Sequence, residues 1–499
     1  MSFKCVVKTT LLTGLLLTSL DVAAVRAQER TVRPMGDKPN VVLMLADNLG
    51  FGDLSVYNGG TRGGMRTPNI DRLASEGMRL TQFLVEPGCT PSRAGLMTGQ
   101  YSIRSGMSLV IVPGASGGLQ PDDVTLGKVA KSAGYNTTYV GKWHLGPLPQ
   151  SQPQNQGFDQ WLLGFKGTTD AVLYEESLRT HNAPEAMQKG AAGQIIEATG
   201  PGGAAQPVRP YNREYRRQIE GDIAIAAASY IAEQADQEDP FFLMIGWTRP
   251  HFPNDPADEF VGSSGTGRYG DSVVELDART GQVLDAIEAA GIKDNTIVIW
   301  LSDNGATMTS TVPEEIGGGS NGPFRGELGD AYEGSIRTAG MIRWPGKIEP
   351  GVTNEMISVH DFLPTLAGFM GAEVPADRPY DGFDQGNFLL GKQAKSNREH
   401  LLTFIGDRVV AVRWRQFRVY PVEFHMSNTN PSLGGYMGMI HETAGFPRVF
   451  NIEADPREIR DVAGAGSGWV MGVYSRLIAQ YKATLEEHPN PPAPNMTRF

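Results

Sequence analysis

Four apolar runs that end abruptly in polar residues constrain the fold of this chain more than any other feature. Each run is long enough to form a strand that is buried on both faces, which is typical of a parallel sheet covered by helices. Because ligands bind beyond the carboxyl ends of the strands in open α/β sheets, the polar residues are expected to meet at one edge. The runs and the residues that follow them are 41–46 before Asp47 and Asn48, 136–141 before Lys142 and His144, 241–246 before His251, and 296–302 before Asp303 and Asn304.

Helical patterns alternate with these runs. Residues 67–77 start with Thr67 and Pro68 and stop at Gly77, which are typical helix boundaries. Strand–helix alternation predicts an α/β fold with a large mixed, mostly parallel sheet that is sandwiched by helices. The segment 147–214 is rich in Gly, Pro and Gln, and we interpret it as an insertion over the strand ends or as a solvated loop. Further helices are predicted over 124–133, 215–237 and 272–290.

The pattern changes after about residue 395. Residues 402–404, 409–414 and 417–420 alternate like short antiparallel strands, and residues 470–488 fit a helix. We therefore expect a catalytic domain over 28–394. A smaller C-terminal subdomain of antiparallel sheet plus helix should follow over 395–499, with a Pro-rich tail at 489–494.

Residues 1–27 are predicted to be a signal peptide. Lys4 and Lys8 precede a short apolar core, and small residues around Ala27 suit a signal peptidase. An apolar core of about ten residues is too short to span a bilayer. The net charge of −11 argues against a nucleic-acid partner, which would need a basic surface. We therefore expect an exported protein, periplasmic or secreted, without a membrane span.

Cys89 opens the most unusual stretch of the chain, residues 89–99. The only other cysteine, Cys5, lies in the predicted leader, so Cys89 has no partner for an internal disulfide. Pro91 suits the first position of a helix, which places Cys89 and Arg93 at a helix N-terminus, where backbone N–H groups attract anions. From the residues alone, Cys89 is either a reactive group or a buried small hydrophobe.

Four residues offer side-chain oxygen atoms as metal ligands, namely Asp47, Asn48, Asp303 and Asn304. Hard cations such as Ca²⁺ and Mg²⁺ prefer such ligands. Lys142 and His144 flank Trp143, and in an extended segment they would point to the same side. His251 lies in a stiff Pro-His-x-Pro pattern. Together these residue types indicate a metal and anion site.

The stretch 89–99 resembles the sulfatase motif Cys-x-Pro-Ser-Arg-x-x-x-x-Thr-Gly, and the resemblance extends over about residues 39–463 in five separated motifs. It implies an alkaline phosphatase-like fold and arylsulfatase-like hydrolysis of sulfate monoesters. In that family a maturation enzyme oxidises the cysteine to formylglycine, and the hydrated aldehyde is the nucleophile. The resemblance implies the same modification of Cys89, and a sulfated small molecule or carbohydrate as substrate.

The resemblance also implies roles for single residues. Arg93 would hold the formylglycine, Lys142 would bind the sulfate, His144 would deprotonate the formylglycine hydroxyl, and His251 would contact or protonate the leaving oxygen. The resemblance further implies one divalent cation, with Ca²⁺ expected and Mg²⁺ as the alternative. Its ligands would be Asp47, Asn48, Cys89, Asp303 and Asn304.

Two positions depart from the family pattern. Family members usually have Asp where this chain has Asn48, and a sulfate-binding lysine where Leu328 falls. One negative and one positive group are lost together, and our hypothesis is that the two changes compensate. Two other functions stay open, namely a formylglycine-dependent phosphate or phosphonate ester hydrolase and a non-catalytic protein that binds sulfated glycans.

Overall fold

A computed structural model describes residues 38–58, 65–112, 117–173, 180, 193–308, 317–425, 439–443, 445–464 and 466–492. The predicted signal peptide over 1–27 lies outside the described residues, and so does the end of the Pro-rich tail from residue 493. Within the described ranges, none of the helices is both long and apolar enough to cross a bilayer.

The main sheet has eleven strands and a parallel centre. Its order is β11-β2-β10-β8-β1-β7-β3-β4-β5-β6, with β9 beside β2. Strands β5, β9 and β10 run against the other strands, so the predicted mixed, mostly parallel sheet is confirmed. In chain order the strands are β1 Asn40–Asp47, β2 Met78–Leu84, β3 Asn136–Lys142, β4 Gln160–Phe165, β5 Gln194–Thr199, β6 Gln206–Pro210, β7 Phe241–Pro250, β8 Thr296–Ser302, β9 Arg337–Thr338, β10 Gly340–Arg343 and β11 Gly351–Ser358.

The central strand β1 shows why the apolar runs are continuous. It pairs in parallel with β7 on one side and with β8 on the other. Its successive side chains alternate between two hydrophobic clusters, with Leu43 and Leu45 in one and Met44 and Ala46 in the other. Because both faces of the sheet are covered, every position of such a strand favours an apolar side chain.

Helices cover both faces of this sheet. Those of at least seven residues are α1 Pro68–Glu76, α2 Cys89–Thr98, α3 Leu126–Ser132, α4 Ile219–Gln234, α5 Arg268–Ala289, α6 Phe362–Met370 and α7 Val470–Thr484. Helices α2, α3 and α6 pack in one hydrophobic cluster, and α1, α4 and α5 pack in the other, which confirms the predicted sandwich. Shorter α-helical turns are Ser55–Asn58, Arg213–Arg216, Glu333–Ile336 and Gly386–Leu389, and 3₁₀ turns are Ser102–Ser105, Pro149–Ser151, Pro153–Asn155, Asp258–Phe260, Lys293–Asn295 and Val359–Asp361.

The interpretation of residues 147–214 as an insertion or a solvated loop is wrong for their described strands. Strand β4 pairs in parallel with β3, and β5 and β6 continue the main sheet beyond it. Trp161 and Phe165 of β4 are buried in the two opposite hydrophobic clusters. The strands are only five or six residues long, so the Gly- and Pro-rich turns between them dominate the composition.

A smaller antiparallel sheet follows, as predicted. It has the order β12-β13-β14-β17, from β12 His400–Ile405, β13 Arg408–Trp414, β14 Phe417–Tyr420 and β17 Arg448–Asn451. Strands β15 Val422–His425 and β16 Met439–Glu442 form a separate pair. Helix α7 packs on the small sheet, with Leu477 and Tyr481 in one cluster with Val412. The domain boundary at residue 395 stays a prediction.

Glu333 joins the small sheet to the rest of the chain. Its carboxylate accepts hydrogen bonds from Arg413 of β13 (2.6 Å) and Arg418 of β14 (3.0 Å). All three side chains are fully buried. Burial opposes the ionisation of Glu333, but the two arginines hold its pKa below the ordinary value. The contact therefore depends on a carboxylate that compensates two buried guanidinium groups.

The substitution Glu333→Gln should lower the free energy of unfolding by about 3–5 kcal/mol, because Arg413 and Arg418 would lose the carboxylate that compensates their buried charges. Urea unfolding of both proteins would measure the difference. Glu399→Gln is the matched control, since the Arg415–Glu399 pair is half exposed and worth less than about 1 kcal/mol. Equal losses in the two variants would contradict the role of Glu333.

Candidate active site

Helix α2 begins at Cys89, directly after Gly88, and all ten of its residues are buried. Pro91 is therefore its third residue and not its first, as the sequence analysis expected. The proline still lies in the first turn, where backbone N–H groups have no acceptor within the helix, so its missing N–H costs nothing. The prediction that Cys89 and Arg93 lie in the N-terminal part of a helix agrees with this geometry.

Ser92 ties this first turn to the end of β2. Its hydroxyl accepts a hydrogen bond from the backbone N–H of Glu86 (2.9 Å) and donates one to the Glu86 carbonyl (3.0 Å). The Glu86 carboxylate in turn accepts from the backbone N–H of Ser102 (2.7 Å) and lies 2.9 Å from Nε2 of His360. These buried contacts fix the position of Cys89 relative to the sheet.

The thiol of Cys89 faces two amide side chains at the strand ends. Its Sγ lies 3.6 Å from Oδ1 of Asn48, and Asn304 donates to the same oxygen from Nδ2 (2.7 Å). Asn48 follows β1 and Asn304 follows the neighbouring β8, as the sequence pattern predicts. Asn48 has a φ of +63°, a left-handed conformation that Asn adopts more readily than most residues.

Four buried charges form two ion pairs beside the thiol. Nζ of Lys142 donates to Oδ2 of Asp47 (2.6 Å), and Arg93 donates to Oδ2 of Asp303 (2.9 Å). Arg93 also donates to the carbonyl of Lys142 (2.9 Å), which links the two pairs. Burial opposes the ionisation of Asp47, but Lys142, His251 and Arg93 hold its pKa well below the usual range. Burial and the charge of Asp47 raise the pKa of Asp303.

His144 lies near the two ion pairs but not in an extended segment. Strand β3 ends at Lys142, and His144 has a φ of +59°, so the extended geometry expected for these residues is wrong. Burial and then the charge of Lys142 lower the pKa of His144 well below its ordinary value. Its Nε2 lies 2.9 Å from the carbonyl of Ile111, which can only accept. Nε2 therefore carries the proton in the neutral ring, and Nδ1, which has no hydrogen-bond partner, is the basic nitrogen.

His251 follows β7 and lies in the same site. Three potential metal-ligand atoms lie within 4.8 Å of one another there, namely a ring nitrogen of His251, a carboxylate oxygen of Asp47 and the Sγ of Cys89. Burial lowers the pKa of His251. Its Nδ1 lies 2.7 Å from the carbonyl of Phe252, so Nδ1 carries the proton and Nε2 is the nitrogen that can exchange one.

The oxygen donors of this site fit a hard divalent cation. Oδ1 of Asp47 and Oδ1 of Asn304 are buried without any hydrogen-bond partner, which is costly unless another group satisfies them. Asn48 presents a further amide oxygen to the same space. Both oxygens of Asp303 already accept hydrogen bonds. Oδ1 accepts from the backbone N–H of Asn48, and Oδ2 accepts from Arg93. The donor set is the one that Ca²⁺ and Mg²⁺ prefer.

The comparisons with known proteins agree with this geometry. The sequence profile of the sulfatase family matches residues 39–372. The chain belongs to the sulfatase family. It is similar to steryl-sulfatase of Rattus norvegicus (34% identity over 91% of each chain) and to arylsulfatase A of Homo sapiens (34% identity over 86% of this chain and 84% of the relative). The solved structure of PsFucS1 sulfatase from Pseudoalteromonas sp. superposes with a TM-score of 0.84 at 30% identity and covers 91% of this chain and 92% of that chain.

Membership of the sulfatase family makes this protein a sulfuric ester hydrolase. The expected alkaline phosphatase-like architecture, a large mixed sheet between helices with a smaller antiparallel sheet after it, is confirmed. The roles of the individual residues in this sulfatase stay predictions, although the structure brings all nine of them to one end of the central strands.

The sequence analysis did not identify Thr169, which contacts a candidate site residue. Thr169 follows β4, and its hydroxyl donates to Oδ2 of Asp47 (2.7 Å). The signal was the polar run Thr168-Thr169-Asp170 after the apolar residues of β4. Polar residues follow an apolar strand here, as they do after the other four strands. This pattern was overlooked because residues 147–214 were interpreted as an insertion.

Replacement of His144 should change how the stability of this sulfatase depends on pH. Unfolded His144 binds a proton below its ordinary pKa of 6.5, whereas the folded ring stays neutral, so stability is lost as the pH falls below that value. Urea unfolding of His144→Asn between pH 7 and pH 5 should show a slope shallower by up to about 1.4 kcal/mol per pH unit. His488→Asn, at an exposed position, is the control. An unchanged slope for His144→Asn would show that the folded and unfolded rings take up their proton over the same pH range, which would contradict the lowered pKa of His144.

Proposed function

We propose that this sulfatase hydrolyses sulfate monoesters of the arylsulfatase type through a formylglycine formed from Cys89, with one divalent cation. The observation that carries the proposal is the position of the Cys89 side chain. It lies at the start of a buried helix, 3.6 Å from the Asn48 amide and within 4.8 Å of Asp47 and His251 ligand atoms. A group at this position lies beside candidate cation ligands and beside a histidine that can exchange a proton.

An unmodified thiol is poorly suited to act as nucleophile here. Burial raises the pKa of the Cys89 thiol well above its ordinary value, and the carboxylates of Asp303 and Asp47 add to the shift. The thiolate is the reactive form of cysteine, so the folded site holds Cys89 in its unreactive form. Formylglycine would instead supply a hydroxyl nucleophile from its hydrate. This supports the modification that the family resemblance implies.

The cation would be held by oxygen atoms of Asp47, Asn48, Asp303 and Asn304 together with the modified Cys89 side chain. It would supply positive charge for the oxygens of the sulfate group. We expect Ca²⁺, with Mg²⁺ as the alternative, because carboxylate and amide oxygens suit both ions. Asn48 contributes no charge, so only Asp47 and Asp303 are carboxylate ligands.

The remaining residues fall into two groups, two cationic side chains and two histidines that can transfer protons. Lys142 and Arg93 lie beside the nucleophile, where each forms an ion pair with a carboxylate, Lys142 with Asp47 and Arg93 with Asp303. The basic Nδ1 of His144 suits removal of a proton from the hydroxyl group at position 89. The free Nε2 of His251 suits proton exchange with the departing alcohol oxygen.

The side chains of the site are neutral in sum, so the proposed cation alone would supply the excess positive charge that an anionic ester meets. The two buried cationic side chains are matched one for one by two carboxylates, so the side chains supply no excess positive charge. A sulfate monoester carries one negative charge, whereas a phosphate monoester near neutral pH carries about two. The two alternative functions, phosphate or phosphonate ester hydrolysis and binding of sulfated glycans, are distinguished by the experiment described below.

We also propose that the protein is exported to the periplasm or secreted. The support is the charged, apolar and small-residue pattern of residues 1–27, which is typical of a cleaved leader. Removal of this segment would leave Cys89 as the only thiol of the mature chain. A formylglycine-generating enzyme and a sulfated small molecule or carbohydrate are the partners that the proposal requires.

The protein should be produced together with a maturation enzyme, and the peptide that contains Cys89 should have the mass of the aldehyde or its hydrate. The same preparation should hydrolyse 4-nitrophenyl sulfate with a kcat/KM well above that for 4-nitrophenyl phosphate. Cys89→Ala is the control and should abolish both the mass change and the activity. Faster phosphate hydrolysis would support the phosphatase alternative, and modification without any hydrolysis would support glycan binding.

Asn48→Asp should lower kcat/KM for 4-nitrophenyl sulfate by at least about tenfold, because it adds a buried carboxylate that no side-chain cation matches. The second substitution Leu328→Lys should restore much of the activity. Leu328 is buried, and its N–H donates to the carbonyl of Ala306 (3.3 Å), directly beyond the Asp303 and Asn304 segment. Equal or higher activity of Asn48→Asp alone would refute the idea that the two departures compensate.

A further inference from the structure

The two oxygens of the Asp47 carboxylate have unequal surroundings. Oδ2 accepts two hydrogen bonds, from Nζ of Lys142 (2.6 Å) and from the hydroxyl of Thr169 (2.7 Å). Oδ1 has no hydrogen-bond partner and is buried. A guanidinium nitrogen of Arg93 lies 3.8 Å from this oxygen. The carboxylate thus has one oxygen with two hydrogen-bond donors and one buried oxygen that is left for another group.

The backbone of Thr169 is held in place by a neighbouring tyrosine. Thr169 is fully buried, and its carbonyl accepts a hydrogen bond from the hydroxyl of Tyr211 (3.1 Å). The Tyr211 ring stacks on Phe165, the last residue of β4, with ring centroids 4.9 Å apart and planes 14° apart. The Thr169 hydroxyl therefore has a fixed position relative to the sheet, as a residue that orients another group requires.

We propose that Thr169 is a positioning residue for Asp47 and that its hydroxyl selects Oδ1 as the oxygen that binds the cation. The inference rests on the proposed function, because it concerns the cation assigned to that site. A carboxylate with a single donor on Oδ2 can rotate and expose either oxygen. Two donors from different strands, Lys142 at the end of β3 and Thr169 beyond β4, hold its plane in one orientation. Such outer partners orient the ligands of metal sites.

Two substitutions separate this role from simple packing. Thr169→Val keeps the size and the methyl group but removes the donor, whereas Thr169→Ser keeps the donor but removes the methyl group. If Thr169 positions Asp47, the valine variant should lose cation affinity and the serine variant should keep it. If Thr169 only fills space, the valine variant should keep its cation affinity and the serine variant should lose it. Thr168→Val is the matched control, because the Thr168 hydroxyl donates to Asp170 and not to Asp47.

The experiment is calorimetric titration of the matured, EDTA-treated protein with CaCl₂ and with MgCl₂, which needs no substrate and no turnover. Thr169→Val should bind the cation about 10–100-fold more weakly than the wild type. Thr169→Ser and Thr168→Val should stay within about threefold, given the spread in measured effects of outer partners. Thermal unfolding without added cation would verify that each variant is folded, and the serine variant remains informative if the valine variant is not.

The outcomes separate the inference from the proposed function. If the wild type binds a cation and Thr169→Val binds it equally well, the positioning role is refuted while the cation site stands. If Thr169→Ser loses affinity while Thr169→Val keeps it, Thr169 acts through packing and the inference is also refuted. If the wild type binds neither cation, the cation of the proposed function fails, and the role of Thr169 fails with it.

Discussion

The mutual compensation of buried charges is the constraint on which the rest of this site depends. Asp47, Lys142, Arg93 and Asp303 are removed from water, and an isolated ion in such a place would cost several kcal/mol. They are tolerated because each cation meets a carboxylate, and because Arg93 also binds the carbonyl beside Lys142. The polar cluster can therefore exist at the ends of the central strands, where a substrate group would be shielded from water.

The sheet topology supplies the geometry that this compensation needs. Strands β8, β1, β7, β3 and β4 are neighbours and run in one direction, so their carboxyl ends lie together. Each end contributes at least one polar side chain, although the five strands are far apart in sequence. Helix α2 adds Cys89 and Arg93, and the hydrogen bonds between Ser92 and Glu86 hold that helix against the strand ends. The first turn of α2 thus links the helix to the sheet.

Much of this arrangement could be predicted from the sequence, and the exceptions have physical causes. The strands before Asp47 and Asp303 were predictable because continuous apolar runs are long and have few alternatives. Strand β4 was not, because six residues between Gly- and Pro-rich turns carry too little periodicity, and Thr169 was missed with it. The backbone at His144 was also misjudged, since a left-handed residue after a strand leaves no trace in composition. Ion pairing between distant residues, such as Arg93 with Asp303, follows only from the fold.

The burial of helix α2 has a consequence for the life history of the protein. Every residue from Cys89 to Thr98 is enclosed by the sheet and by neighbouring helices, and the Cys89 side chain is only 2% exposed. In the folded domain the described residues leave almost none of this side chain accessible. The maturation enzyme that the proposed function requires would therefore act on the nascent or unfolded polypeptide. Under the proposed function, covalent maturation would compete with the folding that buries Cys89, and a molecule that folds first would keep the unmodified thiol.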